Sequence, residues 1–187
     1  VLHGGAEHDT RPLTDRSLSW RRARRLARDI ARPLAGDEIA VAVLRYRVIG
    51  WNAGRADEPS PVTDARWALD HLQQTLGSPV VVLGHSMGAR TAAAVADHPS
   101  VLGVVGLAPW LPADEPVDRL RGKTLLAAHG ARDKITSPKA TRRYVARAAE
   151  VATARFTDMG PVGHYLLRDV GSWNRFALQA CQEIAAG

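Results

Sequence analysis

The pentapeptide Gly84-His85-Ser86-Met87-Gly88 has the residue types and spacing of an activated serine. It follows a short, continuously apolar run, Pro79-Val-Val-Val-Leu83, and opens a helical segment from Met87 to about Asp97. A sharp strand-to-helix turn lifts a hydroxyl clear of a sheet and holds it in a strained backbone conformation. Side chains two positions before and after it would collide, so glycine is required at both. The helix that follows aims its N-terminal amides at the same point. Ser86 is therefore the candidate nucleophile of an acyl transfer.

A serine hydroxyl is a poor nucleophile until a base takes its proton. The chain has seven histidines. His71 falls within a helix and reads as a surface residue. His85 belongs to the turn itself and is expected to point away from the nucleophile. His98, beside Pro99, reads as a helix C-terminal cap. His3 and His129 each precede a glycine just after a strand and read as structural. His164 lies in the glycine-rich loop Met159-Gly160-Pro161-Val162-Gly163-His164, after the last strand, and is the candidate general base.

The imidazole needs a carboxylate to hold its tautomer. Asp133, in His129-Gly130-Ala131-Arg132-Asp133, is the candidate, since Ser137 and Pro138 are better placed to start the next helix. Asp114 and Glu115 are its rivals. The developing oxyanion needs backbone N–H donors. Met87 offers one, and the loop His3-Gly4-Gly5-Ala6 offers another, Gly5 first and Ala6 second. Trp110, Trp51 and Tyr165 follow strand ends and are expected to line the substrate. Arg132 reads as a surface ion-pair former.

The elements that must position these residues alternate along the chain. Helices are expected over about 17–34, 62–76, 87–97, 138–150 and 172–185. Strands are expected at 39–44, 79–83, 101–107, 124–128 and 151–156, with a strand end at Val1–His3. Such alternation implies a mostly parallel sheet with helices on both faces. Ligands then bind beyond the carboxyl ends of the strands, where all the candidates sit. No internal repeat or low-complexity segment interrupts the pattern, and 187 residues fit a single domain.

Composition bounds the rest. Hydrophobic residues make up 45% of the chain, enough for a packed core. No run approaches the roughly 18 apolar residues of a membrane span. Cys181 is the one cysteine, so no intrachain disulfide forms and a cytoplasmic setting is expected. The formal charge is +6. Much of it sits in Arg21-Arg22-Ala23-Arg24-Arg25-Leu26-Ala27-Arg28, either a solvated helix face or a dock for an acidic carrier protein. No nucleic-acid motif accompanies it. The histidines do not fall at metal-ligand spacings, and no cofactor is expected.

Taken together, the chain resembles the α/β-hydrolase superfamily over nearly its whole length. The resemblance rests on the Gly84–Gly88 turn, the chain order Ser86, Asp133, His164, the early His3-Gly4-Gly5 loop and the closing Gly160–His164 loop. It implies an α/β-hydrolase fold. Family members usually carry further strands before the His-Gly loop, so the N-terminal strands are expected to be missing here, and a removed signal is compatible with that. Only about 15 residues separate the strand at 101–107 from the next, too few for a large helical lid. A shallow, open pocket for small acyl groups is expected.

The first functional reading is cleavage of a carboxylic ester through an acyl-serine. A thioesterase acting on a carrier-bound acyl group uses the same parts, as does a cofactor-free perhydrolase or haloperoxidase-like activity. A non-catalytic binding protein would have no need of a complete triad.

Overall fold

Four parallel strands frame the computed structural model, which describes residues 1–54, 56 and 58–187. They are β1 (Val80–His85), β2 (Val101–Leu107), β3 (Thr124–His129) and β4 (Thr153–Asp158), side by side in that order. β1, β2 and β3 carry Val, Leu, Ala and Gly runs that are apolar on both faces because helices cover both, whereas the edge strand β4, Thr-Ala-Arg-Phe-Thr-Asp, is mixed and partly exposed. The helices are α1 (Leu18–Ala35), α2 (Ser60–Leu76), α3 (Met87–Ala94), α4 (Pro138–Ala148) and α5 (Val170–Ala185). α2, α3 and α4 pack Val62, Leu69, Ala92, Tyr144 and Val145 against Val82, Val104 and Leu125. On the opposite face, α1 and α5 pack Leu26, Ile30, Leu34, Trp173 and Ala177 against Leu83, Val105 and Leu126. Neighbouring strand residues thus feed opposite cores, as the pleat requires.

The expected strand at 39–44 is reduced to a single pairing, Leu44 beside Leu2, while Leu2 also pairs with Gly84. The Val1 ammonium donates to Ala42 O and Leu44 N–H to Val1 O, so this edge holds by few bonds. α3 ends at Ala94, short of the expected Asp97, and β4 starts at Thr153, two residues later than expected. The chain runs from Leu2 outward to Leu44 and returns on the other side of Leu2 as β1. In open parallel sheets ligands bind at such a reversal, beyond the carboxyl ends of the strands, which here are those of Leu2 and β1. Among the described residues no helix is long and apolar enough to cross a membrane.

Candidate active site

Ser86 sits at the end of β1 with φ 55° and ψ −119°, a conformation L-residues rarely adopt. The turn is clamped from several sides. Ser86 N–H donates to Leu107 O at 3.0 Å, and Trp110 N–H donates to Ser86 O at 3.2 Å. A Cβ at Gly84 would strike the Gly88 carbonyl, and one at Gly88 would strike the Leu2 carbonyl. Glycine is therefore a steric requirement at both positions.

The loops after β3 and β4 close on each other. Ala131 N–H donates to Gly160 O at 2.8 Å and Arg132 N–H to Val162 O at 3.1 Å. A Cβ at Gly130 would collide with Val162 O, so Gly130 permits this approach. The result brings Asp133 and His164 together. His164 Nδ1 lies 2.8 Å from Asp133 Oδ2, and His164 Nε2 lies 3.0 Å from Ser86 Oγ. A carboxylate only accepts, so Nδ1 carries the ring proton. Nε2 is left with a lone pair facing the serine hydroxyl.

Asp133 is held by five donors. Its Oδ1 accepts from the N–H groups of Ile135 (2.8 Å) and Thr136 (2.9 Å). Its Oδ2 accepts from His164, from His129 Nε2 at 2.9 Å and from the Thr136 hydroxyl at 2.9 Å. Burial pushes this carboxyl up, but the bonds from His129, His164 and the two backbone amides outweigh it. The net effect holds Asp133 far below the usual carboxylate range. The rival carboxylates lie elsewhere. Glu115 pairs with Arg90 at 2.7 Å, and Asp114 is exposed.

The His3–Gly5 loop lies over the turn. A Cβ on Gly4 would sit 3.4 Å from Ser86 Cβ, and one on Gly5 would meet the Met87 side chain and Ile49 O. His3 is fully buried; Tyr46 N–H donates to its Nε2 at 3.4 Å, and its Nδ1 donates to Gly4 O at 2.7 Å. That carbonyl belongs to the Gly4–Gly5 peptide, which is trans, so the Gly5 N–H points the opposite way. Among the described residues the N–H groups of Gly5 and Met87 have no backbone acceptor. Ala6 does not share that property. Its N–H donates to Ile49 O at 3.3 Å, which removes it as an oxyanion donor.

His85 does not point away from the site. Its ring centroid is 4.9 Å from that of His164, and its Nε2 donates to the His164 carbonyl at 2.9 Å. Burial, with repulsion from His164, lowers its pKa to about 3, so it is a neutral strut. His98 caps no helix; it bridges Ser100 and Asp70. His71 stacks on Trp67 on the surface of α2. Trp110 adjoins Ser86 through its backbone and stays partly exposed, as a substrate wall requires. Trp51 is 5% exposed and lies under the Arg90 guanidinium, 4.2 Å away, so it packs the core instead of lining substrate. Tyr165 is half-exposed, edge-on to His164 at 5.4 Å. Arg132 is exposed, and its side chain forms no ion pair among the described residues.

Three supports have no motif of their own in the sequence: Thr136 on Asp133, His129 on Asp133 and His85 on the His164 backbone. The i, i+4 spacing of His129 and Asp133 across a turn was the available signal. Neither Ser86 nor His164 lines the cavity of about 510 Å³ beside Asp133, which is bounded by Ile135, Arg142 and Phe156. The segment 108–123 after β2 holds only one short 3-10 turn, Asp118–Leu120.

Comparison with known proteins places this fold in a family. A family model described as the alpha/beta hydrolase family matches residues 1–182. A search of curated protein sequences gave no match. Among solved structures, an alpha-beta serine hydrolase homologue from Coxiella burnetii superposes with a TM-score of 0.65 at 17% identity, covering 96% of this chain and 88% of its own. A predicted CIB-like hydrolase from Thermoplasma acidophilum gives 0.65 at 16% identity, with 97% and 99% covered. A thermophilic esterase from Thermogutta terrifontis, solved with propionate bound, gives 0.65 at 16% identity, with 83% and 74% covered. At these identities the structural likeness speaks for the fold, and the family model for descent: the chain belongs to the alpha/beta hydrolase family.

Proposed function

We propose that the protein is a serine hydrolase that cleaves a carboxylic ester through an acyl-serine. The observation that carries the reading is the chain of two hydrogen bonds, Ser86 Oγ to His164 Nε2 at 3.0 Å and His164 Nδ1 to Asp133 Oδ2 at 2.8 Å. Ser86 Oγ attacks the carbonyl carbon as its proton passes to His164 Nε2. Asp133, held ionised, offsets the charge on the imidazolium. The N–H groups of Met87 and Gly5 stabilise the tetrahedral oxyanion. His164 then gives its proton to the leaving alcohol, and the bond to that oxygen breaks. Water, deprotonated by His164, resolves the acyl-serine in a second round.

The short segment after β2 supports small acyl groups, since nothing there encloses a long chain. A fluorophosphonate probe tests the assignment. Wild-type protein should label and Ser86→Ala should not; equal labelling of the two would remove Ser86 as nucleophile. A second reading, hydrolysis of a thioester on an acidic carrier, is favoured by the exposed arginines Arg21, Arg24, Arg25 and Arg28 of α1. Charge reversal at Arg21 and Arg25 should then slow turnover of a carrier-bound thioester and spare a small ester.

A further inference from the structure

The buried row of α1 runs Leu26, Ile30, Leu34, one residue per turn. The next position up that row is not apolar; it is Arg22. The row faces the core shared with α5, so its upper end overhangs the loop that carries His164 and Tyr165. The guanidinium stands 5.0 Å from the Tyr165 ring centroid. Tyr165 in turn meets the His164 ring edge-on at 5.4 Å. The Arg22 charge also reaches His85, whose ring centroid is 4.9 Å from that of His164.

The other arginines of this helix are exposed to solvent, and Arg25 pairs with Asp29 at 3.1 Å. Arg22 is half-buried, and burial lowers its pKa with only Tyr165 opposing the effect. No carboxylate among the described residues compensates it. A guanidinium partly stripped of water and left without an anion is poised to take one, and its planar fork suits carboxylate and phosphate oxygens.

The geometry points to Arg22 as a specificity residue that binds an anionic group on the leaving-group side of the substrate. This rests on the serine-hydrolase reading of Ser86 and His164. The side follows from the chemistry. The leaving oxygen must lie against His164 Nε2 to receive its proton; Tyr165 meets that ring edge-on, and Arg22 stands beside Tyr165. Tyr165 supplies an apolar, half-exposed surface for the body of the leaving group, and Arg22 supplies the charge at its end. The substrate class is then an ester whose alcohol carries a carboxylate or phosphate.

The test compares two acetate esters with the same acyl group, 4-acetoxybenzoate and 4-acetoxybenzamide, on the whole chain. Their intrinsic reactivity difference is common to all variants, so the quantity read is the ratio of kcat/KM values. Arg22→Gln should lower the anionic-to-neutral ratio about tenfold, and Arg22→Lys should give an intermediate ratio. Arg22→Met, which keeps the aliphatic stem, guards against a folding defect in the glutamine variant and should match it. Added salt should lower the wild-type ratio and leave that of Arg22→Met flat. A ratio unmoved by all three substitutions overturns the assignment of Arg22 alone. A wild type that hydrolyses neither ester overturns this inference, and one that also fails to label with a fluorophosphonate overturns the hydrolase reading beneath it.

Discussion

His129 Nε2 donates to Asp133 Oδ2 at 2.9 Å, with neither side chain exposing any surface. The ring is fixed from its other side, where Nδ1 accepts from the Thr141 hydroxyl at 2.8 Å. Asp133 therefore serves two imidazoles, one turned to Ser86 and one turned to α4. Removing the second should leave the first with a carboxylate that is less firmly held. His129→Phe is expected to destabilise the fold by about 2 kcal/mol, the worth of a charge-assisted buried hydrogen bond. It should also lower kcat while KM stays near wild type, because Asp133 steadies His164 and is placed to touch no substrate. Urea denaturation and steady-state kinetics on a p-nitrophenyl ester check both. A variant with full kcat would show that Thr136 and the two amides hold Asp133 without help.

On the proposed mechanism Ser86 sets stability against activity. Its φ of 55° costs about 1–3 kcal/mol for an L-residue. Glycine adopts that conformation freely, at a cost of about 0.5–1 kcal/mol in unfolded-state entropy. The strain is the larger of the two, so Ser86→Gly should raise the melting temperature by roughly 2–4 °C. The same change removes the hydroxyl and with it fluorophosphonate labelling. A melting temperature below that of wild type would argue that the hydrogen bond to His164 outweighs the backbone strain.

Much of this arrangement was legible in the sequence, for definite reasons. The turn at Ser86 could be read because a sharp strand-to-helix turn needs glycine at fixed offsets, and Gly84 and Gly88 supply them. Asp133 and His164 could be read because a parallel sheet sends every strand's carboxyl end to one rim. The edge at 39–44 misled, because Ile39-Ala-Val-Ala-Val-Leu44 has strand composition but only Leu44 finds a pairing partner. Ala6 misled because spacing does not reveal where an N–H is already committed, here to Ile49 O. Trp51 and His85 misled because position after a strand does not fix which way a side chain turns. Trp51 joins the core cluster with Tyr46 and Val62, and His85 turns to donate to the His164 carbonyl.

The Gly5 amide is the least redundant part of the candidate oxyanion site. A methyl group at this position would collide with Ile49 O and press on the Met87 side chain, so the loop must move. Gly5→Ala should lower kcat about 100-fold, the effect of losing one oxyanion donor, with little change in KM. Labelling by a reactive fluorophosphonate should slow but persist, since Ser86 and His164 remain. Loss of labelling together with loss of cooperative unfolding would instead mean that the loop holds the fold.

Two buried histidines make the fold sensitive to mild acid. Burial lowers His3 to about 4 and His85 to about 3, from an ordinary 6.5. The unfolded chain therefore binds protons below about pH 6.5 that the folded chain refuses, and stability falls as the pH drops through that window. Above it these two rings are neutral in both states and contribute no slope. Each group contributes on the order of 3 kcal/mol by the time its folded pKa is reached. Asp133 shares the sign but acts lower, because an unfolded aspartate takes up protons only near about pH 4. Urea midpoints at pH 7.5, 6.5, 5.5 and 4.5 should thus decline throughout, gently over the first step, where burial also lowers the Val1 amino group from 8.0 to about 6, and more steeply after. His85→Asn, which retains a donor for the His164 carbonyl, should make that decline shallower. Midpoints that stay level from pH 6.5 to 4.5 would mean that these rings accept protons in place, and that the seal around the loop and the turn is looser than its hydrogen bonds imply.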